Sequence, residues 1–143
     1  MLTLALSLFL ACDGGSSKVA DGGTDTGDTA EPEEDTICPT ITHTPIETAQ
    51  PLGEPVTISA MVTDNDTGVF SVRVYYRKET SSTWKEFAMV AGAEDEWSGD
   101  IPGEEVRSGG MRYFIEAVDM KQNTCTAPQR GEDDPYSFRV DSD

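Results

Sequence analysis

The stretch Gly68-Val69-Phe70-Ser71-Val72-Arg73-Val74-Tyr75-Tyr76-Arg77 decides the fold class. Phe70, Val72, Val74 and Tyr76 alternate with Ser71, Arg73, Tyr75 and Arg77. A period of two gives an extended strand one apolar face and one polar face, whereas a helix would scatter the same set around its axis. The period recurs on both sides of this stretch. Val56, Ile58, Ala60 and Val62 alternate with Thr57, Ser59, Met61 and Thr63. Met111, Tyr113, Ile115 and Ala117 alternate with Arg112, Phe114, Glu116 and Val118. Tyr136, Phe138 and Val140 alternate with Ser137, Arg139 and Asp141. Weaker strands fit residues 40–44, 84–90 and 96–101. Turn formers separate them, among them Asp64-Asn65-Asp66-Thr67-Gly68, Pro102-Gly103 and Gly109-Gly110. No window supports an amphipathic helix of useful length.

Seven strands, each apolar on one side, must bury those sides against one another. The expected fold is therefore an all-β, seven-stranded antiparallel sandwich. A chain of 143 residues can hold one such core and not two. Residues 37–143 are expected to form it. Residues 13–36 are Gly, Ser, Thr, Asp, Glu, Ala and Pro apart from Lys18 and Val19, with no aromatic ring, so they are expected to be a disordered tether. The flexible reach of such a tether is roughly 25–30 Å.

The net charge of −17 is shared. The tether has eight acids and one base, and the domain has nineteen acids and nine bases. This acidity argues against nucleic acid as a partner, because phosphates are recognised by basic surfaces. It fits solubility outside the cell.

The first residues read as an address. Residues 2–11 are apolar but well under the roughly 18 needed to span a bilayer, and they end at Phe9-Leu10-Ala11-Cys12. This tetrapeptide resembles the lipobox of bacterial lipoproteins. The resemblance implies that residues 1–11 are a signal peptide, that Cys12 is diacylated, and that the chain is exported to the cell envelope and held at a membrane by lipid. Plain secretion is the alternative. Asp13 resembles an inner-membrane retention signal of some enteric bacteria, and the choice of membrane stays open. With Cys12 set aside, Cys38 and Cys125 form an even pair, expected as a disulfide in an oxidising compartment. It would close a loop of about 87 residues, worth roughly 4 kcal/mol on the chain-entropy model, less any strain. The alternative, a reactive thiol, has only His43 as an imidazole base anywhere in the chain.

From about residue 45 to 140 the chain resembles the immunoglobulin-like or fibronectin type III-like modules of secreted bacterial proteins. The resemblance is carried by residues 68–77, Trp84, residues 97–102 and Tyr113-Phe114-Ile115-Glu116-Ala117-Val118-Asp119. It implies that the chain start and the loop after the sixth strand share one pole, which makes the Cys38–Cys125 bond geometrically reasonable. Such modules are specific for fold and nearly silent on function.

No nucleophile–base pair is apparent, so the chain is expected not to be an enzyme and to need no cofactor, with calcium as the one candidate. Asp64, Asp66, Asp119, Asp133 and Asp134, with Glu94 and Asp95, are placed in loops at the cysteine pole and could supply oxygen ligands for calcium. Ordinary turn formation accounts for the same residues. A second candidate is the outward face carrying Arg73, Tyr75, Arg77, Trp84, Arg112, Phe114, Glu116 and Arg139. Tyr, Trp and Arg are enriched at binding hot spots, so this face could meet an envelope protein or glycan. Cross-strand pairing of an exposed sheet explains it equally well. Arg130-Gly131-Glu132-Asp133 reads as a turn. The expected role is a non-enzymatic binding or structural module. A calcium-dependent adhesion domain and a non-catalytic accessory subunit of a secreted or membrane enzyme are the alternatives.

Overall fold

The computed structural model describes residues 33–142, so the lipobox, Cys12 and nearly all of the tether lie outside the described residues. Residues 35–143 form one compact unit. Among the described residues nine strands make it: β1 Thr40–Thr42, β2 Val56–Thr63, β3 Val69–Lys78, β4 Lys85–Ala88, β5 Val90–Ala91, β6 Glu96–Ile101, β7 Met111–Asp119, β8 Thr124–Ala127 and β9 Tyr136–Phe138. One sheet has the order β1-β2-β6-β5, and the other β4-β3-β7-β8 with β9 also on β7. All of these strand pairs are antiparallel. This is the expected all-β sandwich.

The period of two becomes burial directly. Along β2, Val56, Ile58, Ala60 and Val62 are buried and the residues between them exposed. Val72, Val74 and Tyr76 of β3 and Tyr113, Ile115 and Ala117 of β7 face them across the core. Each buried valine or isoleucine among them contributes about 1.5–3 kcal/mol by leaving water. Gly99 of β6 is part of the fit: a Cβ there would lie 2.5 Å from the Phe87 ring. The missing side chain thus lets Phe87 of the opposite sheet reach across.

Three expectations change. Phe70 does not point inward. The ladder between β3 and β7 pairs Val69 with Asp119 and then Ser71 with Val118, so Phe70 is the extra residue of a bulge and is 57% exposed. The strand expected at 84–90 is two strands in two sheets. Lys85–Ala88 pairs with β3, while Val90 and Ala91 pair with β6. Met89, buried at the crossing, still donates its N–H to Val72 O at 2.8 Å. Cys125 sits not in a loop but on β8, a strand of Thr, Cys and Ala without a large apolar residue to announce it.

The sandwich is thereby closed on both sides. On one side the chain itself passes from sheet to sheet at Met89. On the other, Cys38 precedes β1 at the edge of the first sheet and is disulfide-bonded to Cys125 on β8 at the edge of the second, with Cα atoms 5.5 Å apart.

The segment that follows β1 is fixed by one polar chain. The Tyr113 hydroxyl, fully buried, accepts the Ile46 N–H at 3.2 Å and lies 2.8 Å from His43 Nε2. His43 Nδ1 lies 2.6 Å from the Ser59 carbonyl, which can only accept. The proton of the neutral ring is therefore on Nδ1, and Nε2 accepts the tyrosine proton. Burial holds the imidazole below its ordinary pKa, against the opposing pull of the Ser59 carbonyl. Burial also raises the Tyr113 phenol to about 12, although the Ile46 N–H works the other way.

Two outcomes follow from this architecture. Reduction of Cys38–Cys125, which closes a separation of 87 residues, should lower unfolding stability by roughly 4 kcal/mol in a urea titration; an unchanged midpoint would contradict the bond's role. His43 resists protonation when folded but takes its proton near pH 6.5 when unfolded. Its contribution is therefore complete above that pH and is lost as the pH falls through it towards the lowered folded value. The urea midpoint should drop between about pH 7 and pH 5.5, and His43→Gln should flatten that step.

Candidate functional site

The outward residues of β3 and β7 meet in register. Tyr75 is opposite Phe114 and Arg73 opposite Glu116. The Tyr75 and Phe114 rings stack at 4.8 Å with 9° between their planes. Trp84, immediately before β4, stands edge-on to Phe114 at 5.0 Å and 78°. Phe114 is consequently 8% exposed although it lies on the outside of the sandwich. Arg77 holds the tryptophan: its guanidinium lies 4.7 Å from the indole centroid and donates to the Ser81 carbonyl, tying the β3–β4 loop to the strand.

These rings line one side of a groove of about 450 Å³. Its other wall is the segment leaving β8. β8 pairs along Ile115–Val118 of β7 and β9 along Met111–Tyr113, so residues 128–134 must step off the sheet between them. Bonds from Gly131 N–H to Pro128 O, at 2.8 Å, and from Asp133 N–H to Arg130 O, at 3.0 Å, shape the step. Gly131 adopts φ +51° with Thr126 only 3.2 Å from where a Cβ would be, so a side chain here would be strained and crowded. Gln129, Arg130 and Glu132 of this wall face the aromatic side, with Glu116 and Thr126 also lining the groove. The Tyr75 hydroxyl lies 3.3 Å from Glu116 Oε1. Its pKa is raised to about 12, first by burial and then by the neighbouring Glu86 and Glu116, so it remains a donor.

A second constellation lies at the cysteine pole. Carboxylate oxygens of Asp35, Asp64 and Asp119 lie within 4.8 Å of one another. Asp119 is fully buried at the end of β7 and accepts the N–H groups of Lys121, at 2.7 Å, and Asn123, at 2.8 Å. Asn123 also donates its side-chain amide to Asp119 at 2.7 Å and to the Asp35 carbonyl at 2.9 Å. Burial would raise the Asp119 carboxyl, but the Asn123 and Lys121 donors outweigh it and hold the pKa below its ordinary value. Asp64 accepts the Asp66 and Gly68 N–H groups through Oδ2, while its buried Oδ1 has no hydrogen-bond partner. Asp35 accepts the Thr67 hydroxyl at 2.8 Å.

Residues 35–124 match the family described as alpha-1,4-glucan:maltose-1-phosphate maltosyltransferase, domain N/S. The chain belongs to that domain family. No curated protein matches significantly. Among solved structures, the endo-beta-1,4-mannanase from Thermotoga petrophila is similar over 77% of this chain at 14% identity, with a TM-score of 0.52. A beta-glucosidase from Listeria innocua, in complex with glucose, covers 73% at 13% identity with a TM-score of 0.44. The chain spans 21% of the mannanase and 16% of the glucosidase, and the mannanase likeness is one of fold alone.

The N/S-domain match ends at Thr124, so most of β8, the outer groove wall and β9 lie beyond it. Of the outward residues singled out in the sequence, Tyr75, Trp84 and Phe114 line the groove and Arg77 braces it. Arg73 and Arg112 do not line it; each is paired at 2.9 Å, with Glu86 and Glu79 respectively. Arg139 lies outside it as well, on the far side of β9 in sequence. The face is thus not a basic patch, because glutamates answer its arginines across the strands. Of the calcium candidates, Asp64 and Asp119 come together. Asp66, Asp133 and Asp134 are not in the carboxylate group, and the last two lie on the segment between β8 and β9. Asp35 was hidden among the acids of the tether, and Thr126, Gln129 and Glu132 carry no sequence signal of their own.

Proposed function

We propose that this chain is a non-catalytic accessory module of a carbohydrate-active system at the cell envelope, lipid-anchored through Cys12 and binding through the outer face of the β3–β7 sheet. The observation that carries the reading is the match of residues 35–124 to the N/S domain of a glucan maltosyltransferase. The Cys38–Cys125 disulfide suits export, since thiols in the cytosol are kept reduced. The aromatic groove supplies a binding surface on the rigid part of the sandwich.

A second reading is favoured by one specific observation. Three carboxylates converge, and the buried Oδ1 of Asp64 has no donor. Calcium takes oxygen ligands of this kind and would offset their mutual repulsion. On this reading the domain is a calcium-dependent adhesion module, with Asp35, Asp64 and Asp119 as ligands.

Intact mass of the mature protein, purified with its partners from detergent-solubilised membranes, tests the first reading. The expected species begins at a diacylated Cys12, and a carbohydrate-active enzyme accompanies it. A soluble chain with an unmodified Cys12 and no companion would overturn it. For the second reading, calcium added to the chelator-treated protein should raise the melting temperature by several degrees, about 1 kcal/mol or more. Asp64→Asn should abolish the rise. An unchanged melting temperature in calcium removes the metal site.

A further inference from the structure

We infer that the groove between Trp84 and the 129–132 wall is a binding site for a neutral glycan chain. The inference rests on the accessory-module reading above and names the ligand class of its binding face.

Three observations carry it. The first is apolar surface in the wrong place for folding alone. The inward faces of both sheets are already filled by the core, yet half-buried Tyr75 and Trp84 gather on the outside around the covered ring of Phe114. Their planes form two nearly perpendicular walls, 9° and 78° from Phe114. A pyranose ring has a flat patch of axial C–H groups and a rim of hydroxyls. Its C–H patch packs on an aromatic face at little conformational cost to the protein.

The second is the polar rim opposite those rings. Glu116 and Glu132 accept, Arg130 donates, and Gln129 does both. Among the described residues, no hydrogen bond or ion pair engages the side chains of Gln129, Arg130 or Glu132. Free donors and acceptors within one groove match sugar hydroxyls, each of which donates one bond and accepts others. Two carboxylates against one guanidinium leave the groove negative in a chain of net charge −17. Anionic ligands such as phosphates, nucleic acids and uronic acid polymers are therefore disfavoured, and a neutral glycan is not.

The third is preorganisation. Arg77 on β3 braces Trp84 at the end of the β3–β4 loop, and Gly131 lets the opposite wall sit close on Thr126. The groove is an open one of about 450 Å³, room for a chain laid along the surface.

Affinity gel electrophoresis of the full-length protein tests this, with glycogen, galactomannan or hydroxyethyl cellulose in the gel and polygalacturonate as the anionic control. At least one neutral polymer should retard the protein, and polygalacturonate should not. Trp84→Ala should weaken that retardation about tenfold or more, the effect of truncating a hot-spot aromatic. Arg130→Ala, on the exposed wall, should weaken it with an unchanged melting temperature, which separates ligand loss from unfolding. Phe70→Ala, an exposed aromatic outside the groove, should leave it unchanged. Failure of all three neutral polymers, stronger retardation by polygalacturonate, or equal retardation of Trp84→Ala would each overturn the inference. Failure here beside a lipidated Cys12 and a co-purifying enzyme would leave the accessory reading standing. If Trp84→Ala and Arg130→Ala instead abolish that co-purification, the groove belongs to a protein.

Discussion

The ladder between β3 and β7 is the constraint on which the rest of the molecule depends. It runs from Val69 opposite Asp119 to Lys78 opposite Met111 and sets both faces of the second sheet at once. Inward, it brings Val74 against Ile115 and Tyr76 against Tyr113. Outward, it brings Tyr75 against Phe114 and Arg73 against Glu116. A slip of one residue would turn Val72, Val74 and Ile115 to water and drive Arg73 and Glu116 into the core. Core and groove are therefore two consequences of one register, and the energy of the buried side holds the exposed side in place.

Around that ladder the two sheets are joined by different means at their two edges. At one edge the backbone crosses at Met89, so the connection costs no extra chain. At the other, β1 and β8 are far apart in sequence and a covalent sulfur bond links the ends of the interval. The same pole gathers Asp35, Thr67, Asn123 and Asp119. The carboxylate of Asp119 is affordable in the interior because the turn after β7 aims N–H groups at it. The backbone just ahead of Cys38 is thus tied to the domain by hydrogen bonds as well as by sulfur.

Membership of an N/S domain family says what kind of part this is, and the fold alone says little about what it binds. The chemistry resides in features the fold merely permits. The floor of the groove comes from strands within the family match, whereas its second wall comes from residues beyond Thr124. A shared sandwich can acquire a specific surface in this way, through one segment that leaves the sheet edge between two short strands.

The sequence by itself determined the class of fold and most of the core, because alternation is a local property: Val56 to Val62 must show one face whatever they pack against. It also determined the cysteine pairing once Cys12 was set aside, and it marked Tyr75, Trp84 and Phe114 as outward aromatics. It did not determine that residues 84–91 serve two sheets, since a crossing strand and a continuous one share the same pattern. Nor did it mark the bulge at Phe70, which exists only because the partner strand is one residue shorter there. β8 was illegible because Thr-Cys-Thr-Ala takes its strand form from the free edge of β7 and not from its own apolar content. The joining of Asp35 to Asp64 and Asp119, and of Gln129 and Glu132 to the rings of Trp84 and Phe114, was decided by tertiary structure alone. Those residues are distant in the chain, and only the packing of sheet edges and turns brings them within reach.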